Sequence, residues 1–168
     1  MSRSQKEIFD IYNIQGKFQN RTIERGVPLA KGDFHLVVQV WIKNKDNLFL
    51  IQKRADHLKS APGVWATTAG HVLAGETAIA GAIRELEEEM GIAATNNHLE
   101  EVYREITGQS HSVAFLLKKE VQLKDVTIQP EEVSAVRWET AETVKAMIEE
   151  GSFYDYGNVY MQTIFKLV

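Results

Sequence analysis

Hydrophobic and polar positions change period several times along the chain. Residues 7–14 (EIFDIYNI) alternate loosely, which predicts a first strand ending at Gly16. Residues 35–42 (HLVVQVWI) are β-branched and aromatic, the composition of a buried strand. The polar run KNKDN predicts a turn, and 48–54 (LFLIQKR) returns as its hairpin partner. A loop over 55–63 closes at Pro62-Gly63, and 64–69 (VWATTA) predicts another strand leading into Gly70. From Thr77 to Met90 the period becomes helical: Ile79, Ala82, Ile83, Leu86 and Met90 recur every three or four residues, and Gly91 stands where a helix-ending glycine belongs. Beyond it, 99–106 and 111–118 predict a second antiparallel pair and 133–138 a short strand. Thr140 then caps a helix through Glu150, ended by Gly151, and a last amphipathic segment covers 156–166. Strands and helices in this order predict an α/β (α+β) fold, a three-layer α/β/α sandwich around a mixed sheet.

A chain of 168 residues without repeats or low-complexity linkers is expected to form one domain over residues 1–168. The absence of cysteine excludes disulfides, zinc thiolates and thiol nucleophiles. The N-terminus, MSRSQKEIFD, has no apolar secretory core, and no apolar run approaches the roughly 20 residues that span a bilayer. A cytoplasmic protein without a membrane partner is expected. The net charge of −4 argues against a stable nucleic-acid complex. It leaves room for a small phosphorylated substrate if something local reverses the sign.

One stretch concentrates acid: GHVLAGETAIAGAIRELEEEMGI, residues 70–92. At about 100° per residue, Glu88 and Glu89 fall about 60° and 40° to either side of Glu85, whereas Glu87 points about 160° away. Gly81 and Ala78 lie one turn earlier on the acidic face, small enough for a ligand or a loop to approach closely. Three carboxylates on one face raise one another's pKa unless a cation sits among them, and oxygen-only ligands suit Mg²⁺ or Mn²⁺. On spacing alone, a solvated acidic face accounts for the run equally well.

The same stretch resembles the signature of the Nudix hydrolases at every position: Gly70, Glu76, Arg84, Glu85, Leu86, Glu88, Glu89, Gly91 and Ile92. The resemblance implies that Glu85, Glu88 and Glu89 are metal ligands, one of them polarising the attacking water, with the carbonyl of Gly70 as a further ligand. It also implies that Arg84 orients the acids and that Glu76 pairs with Arg84. The reaction it implies is metal-dependent hydrolysis of a diphosphate linkage in a nucleotide or nucleoside diphosphate derivative.

The string KRADHLKSAPGVWATTAGHVLAGE (53–76) resembles the branch related to type 1 isopentenyl diphosphate isomerases. By that resemblance Lys53, Arg54 and Lys59 are diphosphate contacts and Trp65 is a pocket wall. Lys53 serves equally well as a surface cation packed along its stem. The isomerases act with a cysteine before the Gly-His pair and a glutamate on a later strand; Ala69 holds the first position here, and the second falls near Ser110. An isomerase-like framework carrying a hydrolase site is therefore expected. The alternatives are an isomerase, disfavoured by Ala69, and an inactive nucleotide-binding module, disfavoured by the intact glutamates.

His71 either reaches the ligand or packs on the sheet. His35, His57 and His111 read as structural or solvent-facing, and His98 carries no functional signal. Glu131 and Glu132 precede a strand, and Glu132 is a further candidate for the metal site. Tyr154, Tyr156 and Tyr160 either line a pocket for a base or prenyl group or pack the core. The leaving moiety and the oligomeric state, a homodimer included, are left open by the sequence.

Overall fold

The computed structural model describes residues 6–168. It contains nine strands and three α-helices among them: β1 Ile8–Tyr12, β2 Phe18–Glu24, β3 His35–Lys43, β4 Phe49–Arg54, β5 Trp65–Ala66, β6 Thr68–His71, α1 Ala78–Met90, β7 Leu99–Thr107, β8 Ser110–Lys118, β9 Val133–Glu139, α2 Ala141–Glu149 and α3 Asn158–Phe165. The main sheet runs β5-β4-β3-β8-β7, with β6 also paired to β3 and β9 to β4. β3 and β8 are parallel and the other pairs antiparallel, so the sheet is mixed as expected.

Period-two alternation sorts the central strands into two cores. Val38, Val40 and Ile42 of β3 join Leu50, Val113, Phe115 and Leu117 on the face covered by Ala82, Leu86 and Met90 of α1. Trp41, Phe49, Ile51, Ala114 and Leu116 meet Val144 and Met147 of α2 and Tyr160, Met161 and Ile164 of α3 on the other. The result is the predicted α/β/α sandwich.

Two elements differ from the sequence reading. β2, paired with β1 in a hairpin of its own, was not expected. Its residues FQNRTIE are mostly exposed, so no buried alternation marks them, and the turn before it is made by the Asn13 side chain accepting from the N–H groups of Gln15 and Lys17. The strand expected over 64–69 is split at Thr67. β5 pairs with β4, β6 pairs with β3, and the Thr67 hydroxyl donates to the Val40 carbonyl at the break (2.5 Å).

Helix α1 begins and ends by the predicted chemistry. The Thr77 hydroxyl accepts from Ala80 N–H at 3.2 Å, and Gly91 takes φ +64°. Gly81 is buried against the segment that follows β6, where a Cβ would stand 3.1 Å from Val72 Cγ2. Its small size therefore admits a loop.

Candidate active site

Beside α1 the sheet opens into a cavity of about 470 Å³ whose walls include residues of β3, β6 and β8. Glu85, Glu88 and Glu89 all line it, as do Gly70, Ala69 and His71 of β6. Glu87 is exposed and does not. The helix geometry thus separates the four glutamates as the 3.6-residue period requires.

Each glutamate is held differently. Glu89 is buried, and Gln52 Nε2 donates to its Oε2 at 2.6 Å. Gln52 is itself fixed by the Thr68 hydroxyl, which donates to its amide oxygen at 3.1 Å. Gln52 reaches α1 because it shares strand parity with Leu50, whose side chain faces that helix. Burial pushes the Glu89 carboxyl up to about 8, against the pull of the Gln52 hydrogen bond. Burial likewise raises Glu85 to about 7 in spite of Arg84 beside it. Glu88 is exposed and, among the described residues, hydrogen-bonds to Arg84 alone.

Arg84 is the hub of the acidic cluster. Its Nε donates to Glu76 Oε1 at 2.8 Å and its Nη2 to Glu76 Oε2 at 3.1 Å and to the His71 carbonyl at 2.8 Å. Its Nη1 serves both Glu85 Oε1 (2.8 Å) and Glu88 Oε2 (3.0 Å). Burial opposes ionisation of Glu76, but Arg84 and the Leu73 N–H hold it below the usual carboxylate range. One guanidinium therefore ties α1 to the loop after β6 and fixes where two of the cavity carboxylates start from.

Close approach of strand to helix completes the arrangement. A Cβ on Gly70 would lie 2.1 Å from the Glu85 carboxyl carbon, so only glycine admits that carboxylate here. Among the described residues no three His, Asp or Glu side chains are already drawn together as a metal cage, since Glu85 and Glu88 turn to Arg84 and Glu89 to Gln52. The donor set nonetheless fits a hard divalent cation: oxygen atoms only, two of the three carboxylates desolvated, and a strand backbone against Glu85.

Comparison with known proteins decides the family. The NUDIX domain model matches residues 33–156. The chain is 34% identical over 170 residues to an uncharacterized Nudix hydrolase of Listeria monocytogenes, covering 96% of this chain and 95% of that protein. The chain belongs to the Nudix hydrolase family. It is also 30% identical over 118 residues to an isopentenyl-diphosphate Δ-isomerase of Citrobacter koseri, covering 66% of this chain and 64% of that protein. Among solved structures, the fold matches a protein of Deinococcus radiodurans with a TM-score of 0.76 at 20% identity, over 94% of this chain and 97% of that one. It also matches the NUDIX domain of Shewanella oneidensis NrtR, solved with ADP ribose, with a TM-score of 0.54 at 20% identity, over 67% of this chain and 77% of that one. The reaction class is accordingly hydrolysis of a diphosphate linkage, and divalent metals are general to the family.

The other residues singled out in this Nudix sequence fall into two groups. Arg54 lines the cavity, with its Nε and Nη2 on the Ser60 carbonyl of the 55–63 loop (3.2 and 2.9 Å). Glu132 lines it too, whereas Glu131 does not. Lys53 and Lys59 are absent from its walls: Lys53 sits half-buried opposite Trp65 in the β4–β5 pair and Lys59 is exposed on the loop. Trp65 is not a cavity wall either; its ring lies under Arg137, 4.3 Å from the guanidinium carbon. The β4 alternation explains this, because it puts Arg54 on the α1 side with Leu50 and Gln52 and Lys53 on the other.

The histidines are mostly structural. His71 lines the cavity, but its ring stacks on Phe9 (4.7 Å, 14°) and meets His35 edge-on at 4.7 Å, and burial holds it neutral down to about pH 4. His35 shares a 2.6 Å hydrogen bond with the Ser110 hydroxyl, and buried His111 donates to the Asn13 carbonyl at 2.7 Å. His57 is exposed, and His98 bonds within its own turn to Thr95.

Several cavity residues carried no sequence signal. Glu7 and Arg25 come from the β1–β2 hairpin and pair with each other at 2.6 Å. Glu105 of β7 lines the wall near Ser110, so a carboxylate stands close to the position expected to lack one. Only strand pairing brings these positions together.

Proposed function

We propose that this enzyme is a Mg²⁺-dependent hydrolase of a nucleoside diphosphate derivative, with water attacking phosphorus. One observation carries the reading: three carboxylates from one helix face and the Arg54 guanidinium converge on a single cavity. Its described lining carries seven carboxylates (Glu7, Glu85, Glu88, Glu89, Glu105, Glu132 and Asp155) against two arginines (Arg25 and Arg54), a balance that repels a diphosphate until a cation changes its sign.

Glu85, Glu88 and Glu89, with the Gly70 carbonyl, would hold Mg²⁺, and Mn²⁺ suits the same oxygen set. When bound, the ion supplies charge neutralisation on the phosphates and a lowered pKa for water. Glu89 lines the cavity, and beside the cation its carboxylate would be ionised and so able to accept a proton from water. Gln52 fixes its orientation through the Thr68–Gln52–Glu89 chain. Arg84, saturated by carboxylates and a backbone carbonyl, positions Glu85 and Glu88, and Glu76 positions Arg84. Arg54 supplies a planar donor for a substrate phosphate, and Glu132 extends the acidic wall towards Glu89. Lys59 and Lys53 have no part in the proposed contacts.

The isomerase alternative is weaker because Ala69, on the cavity wall, offers no proton donor to carbon. We place the enzyme in the cytoplasm, consistent with a cysteine-free chain in which no described helix is long and apolar enough to cross a membrane. Phosphate release and product analysis across nucleoside diphosphates, nucleoside triphosphates, nucleotide sugars, ADP-ribose and isopentenyl diphosphate tests the reading. Cleavage of a base-bearing diphosphate in Mg²⁺, abolished by chelator, is expected. Interconversion of isopentenyl and dimethylallyl diphosphates, or no turnover of any compound by the folded protein, would overturn it.

A further inference from the structure

The aromatic residues form a ladder that starts in the core and ends in the cavity. Tyr160 is buried, and its hydroxyl accepts from Trp41 Nε1 at 2.9 Å. Tyr156 stacks on Tyr160, with 5.1 Å between centroids and 24° between planes. Tyr154 leans on Tyr156 at 4.7 Å and 50°. Both Tyr154 and Tyr156 line the cavity, yet Tyr154 remains 43% exposed and, among the described residues, stacks on no second ring.

The backbone that carries this last ring is anchored. Tyr154 N–H donates to the Trp65 carbonyl at 2.8 Å, Trp65 N–H donates to the Ser152 carbonyl at 2.9 Å, and Phe153 bridges Trp65 in parallel. The segment therefore extends the sheet beside β5. Phe153 goes into the core and its neighbour Tyr154 is sent the other way. A large ring carried on an anchored backbone at a cavity wall, backed by Tyr156 and open on one side, is suited to being covered by something flat. The two other aromatic groups in the cavity cannot serve, because the His71 ring is already stacked on Phe9 and the Tyr156 ring lies against Tyr160 and Tyr154.

We propose that Tyr154 is a specificity-determining contact that stacks on the nucleobase of the substrate and selects base-bearing diphosphates over those without a base. The proposal rests on the hydrolase reading above and deepens it. Every base has a π-face, so a stacking platform separates base from no base far better than it separates one base from another. Small discrimination among adenine, guanine and uracil derivatives is therefore part of the expectation.

The test compares the parent, Tyr154→Ala and Tyr154→Phe on ADP-ribose, UDP-glucose and isopentenyl diphosphate in Mg²⁺. Calorimetric affinities for AMP and for inorganic pyrophosphate accompany it, and melting curves confirm the fold. Tyr154→Ala is expected to raise KM for ADP-ribose and UDP-glucose, and to weaken AMP binding, by about tenfold, the scale of one lost base–aromatic stack. Pyrophosphate binding and KM for isopentenyl diphosphate should shift far less, and Tyr154→Phe should recover most of the loss. Equal losses on compounds with and without a base, or no loss on either, would overturn the assignment while leaving the hydrolase reading intact. So would a parent that cleaves isopentenyl diphosphate but no base-bearing compound. A folded parent that cleaves nothing refutes the hydrolase reading instead, and AMP binding by the Tyr154 variants then decides the stacking contact by itself.

Discussion

The Glu85 carboxylate lies directly against the Cα of Gly70, so close that a methyl group there would stand 2.1 Å from its carboxyl carbon. Gly70 does not occupy the left-handed region, so its backbone accepts alanine and the nearest obstacle is the carboxylate. Gly70→Ala must push Glu85 out of place.

Turnover of Gly70→Ala is expected to fall by at least about tenfold, because a displaced carboxylate costs more than one factor of ten in a metal-assisted step. The fold should survive with a stability loss of about 1–3 kcal/mol, the usual cost of overpacking. Steady-state rates and melting curves on the same preparation check both. Parental turnover in the folded variant would show that Glu85 need not sit where it is found.

A second expectation concerns the metal-free protein. Burial raises Glu85 to about 7 and Glu89 to about 8, well above the unfolded range, so the folded state keeps protons that the unfolded chain has released. Stability contributed in this way is complete at low pH and is lost as pH rises. Below about pH 6.5 the lowered His71 works in the opposite direction, since the unfolded chain takes up a proton that the folded state refuses. The clean window is therefore pH 6.5 to 8, where Tm in chelator should fall. Glu89→Gln should flatten the fall, and a profile unchanged by that substitution would contradict the assignment of the buried carboxylate.

Metal should reverse this loss. A cation that binds the folded protein relieves the desolvated carboxylates and adds stability by mass action. Melts at pH 8 in millimolar Mg²⁺ or Mn²⁺, against chelator at matched ionic strength, should rise. No rise would count against an open carboxylate site of useful affinity.

The sequence carried the layers and the acidic face because both depend on local period. The stripe of Ala82, Leu86 and Met90, the Thr77 cap and the Gly91 stop are written within one helix, and each is found as expected. The alternation of Val38, Val40 and Ile42 against Trp41 likewise decides which core each strand serves. What escaped depends on pairing between distant segments. Gln52 lies 37 residues from Glu89, and nothing near either announces the bond. Arg25 reaches the cavity only because the mostly exposed β2 pairs with β1, which brings it beside Glu7. The motif that points to Lys53 and Lys59 is written in one dimension, whereas strand parity admits Arg54 and turns Lys53 away.

The most direct measurement is turnover of Glu88→Gln against Glu87→Gln in Mg²⁺, on any diphosphate the parent cleaves. Adjacent in sequence and both exposed, the two residues differ in face: Glu88 lines the cavity and bonds Arg84, whereas Glu87 does neither. Glu88→Gln should lose at least about 10²-fold in kcat, the scale of several kcal/mol of charge stabilisation, and Glu87→Gln should stay within about threefold of the parent. If both variants fold and Glu87→Gln is as impaired as Glu88→Gln, the acidic helix is not a one-sided metal site.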